Sequence, residues 1–357
     1  AFDSELLARG VRRLALIARV DCPQNRCNSV YRFMRELPMR VTRREFVITA
    51  AAAVLAPAAA SDRAISIVLA PSNLGLSPVG ANQQGTWRAP QTLMQAGLAQ
   101  VLDTDDVISL ERPAYQLEAQ PGTRIRNGMS IRAFSLQLSE KVADILRRGR
   151  FPVVIGGDCS VLLGGLYGLR VAGGRGLVHV DGHSDFYHPA NYDTARRLGA
   201  VAGMDLALAS GRGEELLTAW PQVGKPLAVD ADIVQVGQRD GRLSGTGITQ
   251  WTVQRALADG IDVTARAVLA RLESRSLDQV WLHVDLDVLD DAVMPAVDSP
   301  GSPGFDYAQL SALVGALCAS GHVAGADFAI YDPERDPGVR YAAPLVRCIA
   351  EGVRARA

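Results

Sequence analysis

From about residue 64 to the C-terminus, short apolar runs alternate with segments whose apolar residues recur every three or four positions. The runs "ISIVLAP", "FPVVIGG", "GLVHVDGH", "DIVQVGQRD", "QVWLHVDLDV" and "VAGADFAIYD" read as strands. The intervening "IRAFSLQLSEKVADILRRG", "DVTARAVLARLESRS" and "YAQLSALVGALCAS" read as helices. Strands that alternate with helices need crossover connections, which produce a mostly parallel sheet covered on both faces. Ligands of such sheets gather outside the carboxyl ends of the strands. There is no internal repeat and no long linker, so one α/β domain over 64–357 is the simplest organisation. The glycines of "GGLYGL" and "RVAGGRGL" do not form a GxGxxG turn after a strand, which excludes a nicotinamide-binding fingerprint.

The net charge is −1, which argues against nucleic acid or an anionic membrane as the main partner. Cys22 and Cys27 lie in the N-terminal extension, and Cys159, Cys318 and Cys348 are far apart and odd in number, unlike a disulfide framework. Cys318 and Cys348 fall in helix-like apolar patterns and read as small buried hydrophobes.

The first sixty residues stand apart. Residues 1–38 read as an extension outside the core. Residues 39–60 carry Thr42-Arg43-Arg44-Glu45-Phe46-Val47, an Ala-rich run and a small-residue end near Ala60, the order of a twin-arginine signal. The run is too short and too weakly hydrophobic to span a membrane. The expectation is export to the periplasm or beyond, with a cytoplasmic protein if the segment does not function.

Three segments carry the chemistry. In "VVIGGDCSVLLGG", residues 153–165, a strand ends at Gly156-Gly157 and presents Asp158, Cys159 and Ser160 before a helix begins. Cys159 there is open to three readings: a metal ligand, a nucleophile or an inert filler. In "LVHVDGHSDF", Asp181, His183 and Asp185 are spaced by two, which in extended chain turns all three the same way. In "WLHVDLDVLDD", Asp285 and Asp287 repeat the device at the end of another apolar strand. Ionised carboxylates packed together in an apolar sheet need a compensating cation. Four Asp and one His suit one or two divalent ions, Mn²⁺ foremost, with Zn²⁺, Fe²⁺ and Ni²⁺ as alternatives.

On these residues the chain resembles the ureohydrolase family, which includes arginase, agmatinase and guanidinobutyrase. The family's GGDHS, DAHxD and SxDxDxxDP segments stand here, in order, as "GGDCS" (156–160), "DGHSD" (181–185) and "HVDLDVLDD" (283–291). "GMDLALASGRG" and "VGQRD" are similar to connecting segments of the family. The resemblance implies a three-layer α/β/α sandwich, of the arginase and deacetylase kind, and a dinuclear Mn²⁺ site. It implies that Asp181 and Asp285 bridge the ions, that His183 and Asp287 complete one position, and that Asp185 and the residue at Cys159 complete the other. The implied reaction is hydrolysis of a linear C–N bond in a small guanidino or amidine compound. The implied assembly is a homotrimer or homohexamer.

The chain departs from the family pattern at four places. Cys159 replaces a ligand His, and His283 and Asp291 replace the Ser and Pro of the last motif. Ala202 stands where many relatives carry a proton-carrying His, and Ile330 where a Glu grips the guanidinium. His188 is a candidate replacement donor, and Asp332, two residues after Ile330, a candidate replacement anion. The catalytic candidates are thus Asp185, His188 and Asp332, and the metal candidates Cys159, Asp181, His183, Asp185, Asp285 and Asp287. His179 and His283 read as supporting groups. A mononuclear zinc amide hydrolase on the same fold, or a degenerate metal-binding relative, are the alternative functions.

Overall fold

The computed structural model describes residues 63–355; the extension and the twin-arginine pattern lie outside the described residues. Eight strands form one sheet: β1 (Ile65–Ala70), β2 (Val107–Ser109), β3 (Phe151–Gly156), β4 (Leu177–Val180), β5 (Ile233–Val236), β6 (Thr249–Trp251), β7 (Val280–Asp285) and β8 (Val323–Ala329). Their spatial order is β2-β1-β3-β8-β7-β4-β5-β6, and every pairing is parallel. The six inner strands are buried along their whole length. This accounts for their end-to-end apolar character, since helices cover both faces. β2 and β6 are three-residue edge strands with partly exposed residues, too short for their sequence pattern to announce them.

The covering helices are α1 (Ala89–Gln95), α2 (Gly128–Arg147), α3 (Val161–Val171), α4 (Asp205–Ala209), α5 (Ile261–Ser274), α6 (Tyr307–Ala319) and α7 (Ala342–Arg354). α2, α3 and α4 pack together, and α5, α6 and α7 with α1 form a second packed group, so the α/β/α sandwich expected from the sequence is present. α2 buries Ile131, Phe134, Leu138, Val142 and Ile145, a stripe at helical spacing. The "GGLYGL" glycines serve packing: a Cβ at Gly164 would lie 2.9 Å from Leu138, and one at Gly168 2.7 Å from Val142. α6 opens with a capping box in which Asp306 and Gln309 each accept from the other's amide. No helix among the described residues is long and apolar enough to cross a membrane.

The register brings the three motifs to one edge. β3, β8, β7 and β4 are consecutive neighbours, and Gly156, Ala329, Asp285 and Val180 end them. The polar segments that follow β3, β7 and β4 therefore meet where ligands of open parallel sheets bind.

Candidate metal centre

The turn after β3 is built around Asp158. Its Oδ1 accepts from the amides of Gly75 (3.1 Å) and Ser160 (2.9 Å), and its Oδ2 accepts from the Ser72 hydroxyl (2.7 Å). Gly157 passes so close to the Ser72 carbonyl that a Cβ would overlap it. Asp158 thus holds the turn, and the next side chain, Cys159, points into a fully buried position.

Asp181 and Asp285 end their strands in the same way. Asp181 Oδ1 accepts from the His183 amide (2.5 Å), and Asp285 Oδ1 accepts from the Asp287 amide (2.7 Å). Each is a local turn in which an Asp side chain binds the backbone two residues on. The spacing of two therefore acts through turns, not through strand alternation: β4 stops at Val180, and Asp185 has a φ of 42°. The convergence expected of Asp181, His183 and Asp185 is present, but a left-handed backbone at Asp185 produces it.

All six metal candidates meet. Ligand atoms lie within 4.8 Å of one another in three overlapping groups: Asp181, His183 and Asp185; Asp181, Asp285 and Asp287; and Cys159, Asp185 and Asp285. The Cys159 thiol donates to Asp285 Oδ2 at 2.7 Å. His183 Nδ1 is 2.9 Å from Asp287 Oδ2, and Asp287 Oδ1 accepts from the Gly182 amide (3.1 Å). Only His183 is partly open, with 34% of its side chain exposed. Arg239 braces this side through the carbonyls of Asp287 and Pro303, both at 2.7 Å.

The electrostatics are those of a cation site. Burial, then repulsion from neighbouring carboxylates, raises the carboxyls of Asp181, Asp185 and Asp285 well above the usual range. Burial and the same carboxylates hold the Cys159 thiol well above its ordinary value. The hydrogen bond to Asp287 raises His183 to about 9. Oδ2 of Asp181 and Oδ2 of Asp185 are buried without a hydrogen-bond partner. An unpaired buried carboxylate oxygen is costly unless a cation faces it. The residues present therefore fit a divalent metal.

Behind the cluster lies a polar layer that the sequence only half disclosed. His179 and His283 stand on adjacent strands with ring centroids 4.9 Å apart. Asp205, at the start of α4, has Oδ1 3.3 Å from His179 Nε2 and Oδ2 3.6 Å from His283 Nε2. On the far side His283 Nδ1 is 2.5 Å from Asp327 Oδ1, and Trp281 Nε1 donates to the other Asp327 oxygen. Burial lowers His283, but Asp327 outweighs it and raises the ring to about 9. Burial outweighs Asp205 at His179, whose pKa is lowered. Asp205 was not singled out from the sequence. Its signal was an acidic residue inside the otherwise apolar "GMDLALA", every residue of whose helix is buried.

The other two catalytic candidates differ in placement. His188 lies in the loop after Asp185, with its ring edge-on to Phe186 and its Nδ1 accepting from the Ala190 amide (3.3 Å). Asp332 is engaged within the protein. Its Oδ1 accepts from the Glu334 amide (2.9 Å), its Oδ2 from the Gly85 amide (3.3 Å), and Arg335 is 3.7 Å away. Ile330, two residues earlier, has a φ of 79°, so strand alternation does not run on from β8 to Asp332.

Comparison with known proteins agrees with this geometry. The arginase family model matches residues 63–351. The arginase of Bacillus caldovelox is 28% identical over 287 residues, covering 76% of this chain and 92% of the relative. The formimidoylglutamase of Chromobacterium violaceum is 30% identical over 224 residues, covering 61% of this chain and 68% of the relative. The solved structure of Bacillus caldovelox arginase superposes with a TM-score of 0.71 at 26% identity, covering 82% of this chain and 98% of that one.

Proposed function

This chain belongs to the arginase family, and from that premise we propose that Asp181, His183, Asp185, Asp285, Asp287 and Cys159 form its metal centre. The reaction is metal-dependent hydrolysis of a C–N bond in a guanidino or amidino compound. The observation that carries the assignment is the pair of buried, unpartnered Oδ2 atoms of Asp181 and Asp185, which belong to one ligand group with His183. Divalent ions held there would supply a Lewis acid and a water ionised near neutral pH. Six ligands suffice for two ions, and the oxygen-rich set around His183 favours Mn²⁺.

The chain's own groups do the rest. Backbone amides tie down Oδ1 of Asp181 and of Asp285, which fixes the direction of each Oδ2. Asp287 orients the His183 ring. The Ala190 amide occupies His188 Nδ1, so the neutral ring carries its proton on Nε2. We assign to that proton the protonation of the leaving amine.

The segment after β8 bears on substrate choice. Asp332 is engaged by amides, Glu334 by Arg88 (2.8 Å), and Asp336 by Tyr331 (2.7 Å) and the amides of Arg340 and Tyr341. With these three carboxylates engaged, this segment offers no free carboxylate to a guanidinium. Free arginine, whose guanidinium meets no free carboxylate on this segment, is the disfavoured substrate. The test is a panel of formimino acids, guanidino acids, guanidino amines and acylated amines, offered to the Mn²⁺-loaded protein. Amine release with formamide or urea supports the proposal, and hydrolysis of the acylated amines alone would replace it with a deacetylase.

A further inference from the structure

Cys159 belongs to a second ligand group that adjoins the carboxylate cluster. Its Sγ, a carboxylate oxygen of Asp205 and a ring nitrogen of His283 all lie within 4.8 Å of one another, and all three residues are buried. Two of these groups make no hydrogen bond and meet only as a long ion pair. Asp205 Oδ2 and His283 Nε2 are buried without a hydrogen-bond partner, and they face each other at 3.6 Å. The other ring nitrogen of His283 is committed to Asp327, which Trp281 holds from its far side. A carboxylate on one imidazole nitrogen keeps the proton there, so that when the ring gives up its other proton to an incoming metal the opposite nitrogen supplies the lone pair. Metal-binding histidines are held in this way.

The three ligands come from three separate elements. Cys159 sits on the turn after β3, Asp205 on the first residue of α4, and His283 inside β7. The turn around Asp158, the buried α4 and the Asp327 contact each hold one of them independently. Such support from outside the ligand set is what a precise metal site requires.

We propose that Cys159 Sγ, Asp205 and His283 Nε2 form a metal position of their own beside the oxygen-rich centre, and that it takes a zinc-class ion. This deepens the proposed function and rests on it only in treating the strand-end cluster as a metal centre. Sulphur, imidazole and carboxylate together select Zn²⁺ over Mn²⁺, and three protein ligands are the number used where one position stays open. Binding converts the Cys159 thiol to thiolate and the His283 ring to its neutral form, and both protons leave to solvent. The two halves of the centre are then chemically different. Asp181, His183, Asp185, Asp285 and Asp287 form a hard half, and Cys159, which adjoins both, forms a softer one with Asp205 and His283.

The test is element-selective. Full-length protein in a Cys22→Ser/Cys27→Ser background is loaded with one equivalent of Zn²⁺ and excess Mn²⁺, and zinc-edge X-ray absorption is recorded. The background suffices because neither Cys318 nor Cys348 joins a ligand group among the described residues. The expected first shell is one sulphur at about 2.3 Å and one imidazole nitrogen at about 2.0 Å. His283→Gln should remove the imidazole contribution, and Cys159→Ser the sulphur. Zinc with sulphur but no imidazole would place Cys159 with Asp185 and Asp285 instead and overturn the inference. Zinc with imidazole but no sulphur would place the ion at His183, which also overturns it but leaves the proposed function intact. Protein that binds neither metal would overturn both. The parent spectrum decides even if a variant fails to fold.

Discussion

The thiol of Cys159 donates to Asp285 Oδ2 across 2.7 Å, which joins two strand-end segments 126 residues apart. Asp285 is thus the point where the GGDCS turn, the DLD segment and the DGHSD segment meet, since it shares ligand groups with Asp181 and Asp185 as well.

Asp285→Asn should lower metal affinity by more than about 100-fold, beyond the loss usual for a residue that only supports a ligand. It should not lower the melting temperature of the metal-free protein, because it removes one of several buried carboxylates that repel one another. Calorimetric metal titration and thermal unfolding of the chelated variant check both halves. A strong loss of metal-free stability would mean that Asp285 serves the fold instead.

Metal removal should make stability fall with rising pH. Asp181, Asp185 and Asp285 have folded pKa values well above the ordinary 3.8, from burial first and then like charge. The metal-free fold therefore binds more protons than the unfolded chain, and this contribution is present in acid and lost as pH rises through the folded values. Chelated protein should lose melting temperature steadily as pH rises above the ordinary carboxyl value of 3.8, while Mn²⁺-loaded protein holds its own. Parallel unfolding curves of the two forms would refute this.

His188→Ala should lower kcat by about 10² to 10⁴ with metal content unchanged, the range for loss of a general acid. Metal analysis beside steady-state kinetics checks it. A change of less than tenfold would transfer the proton-carrying role to water.

Gly157→Ala should cost about 3 kcal/mol or more, because the new methyl would overlap the Ser72 carbonyl and backbone cannot yield as a side chain can. Denaturant unfolding reads the loss. A near-neutral effect would show that the turn around Asp158 is looser than the structure has it.

The parallel sheet was legible because its six inner strands are buried on both faces and therefore apolar throughout. β2 and β6 were not, since three residues at a sheet edge carry no periodic signal. The clustering of the six candidate residues was legible because they stand where apolar strands end. Their geometry was misread in one respect, as extended chain, because a spacing of two also describes an Asp that accepts from the amide two residues on. The amide bonds that engage Asp332 were not legible, because they form past the end of β8, where Ile330 takes a φ of 79°. Asp205 escaped because a single acid in an apolar segment reads as a helix start until its two histidine neighbours, distant in sequence, are brought beside it.

If this carboxylate centre hydrolyses a guanidino or amidino C–N bond through its metal, amine release must follow the metal. Amine release from the best substrate of the panel is measured before chelation, after chelation and after Mn²⁺ is returned. Turnover should fall with loss of the metal and recover on its return, with no recovery in Asp285→Asn. Turnover that persists after the last metal is removed would contradict it.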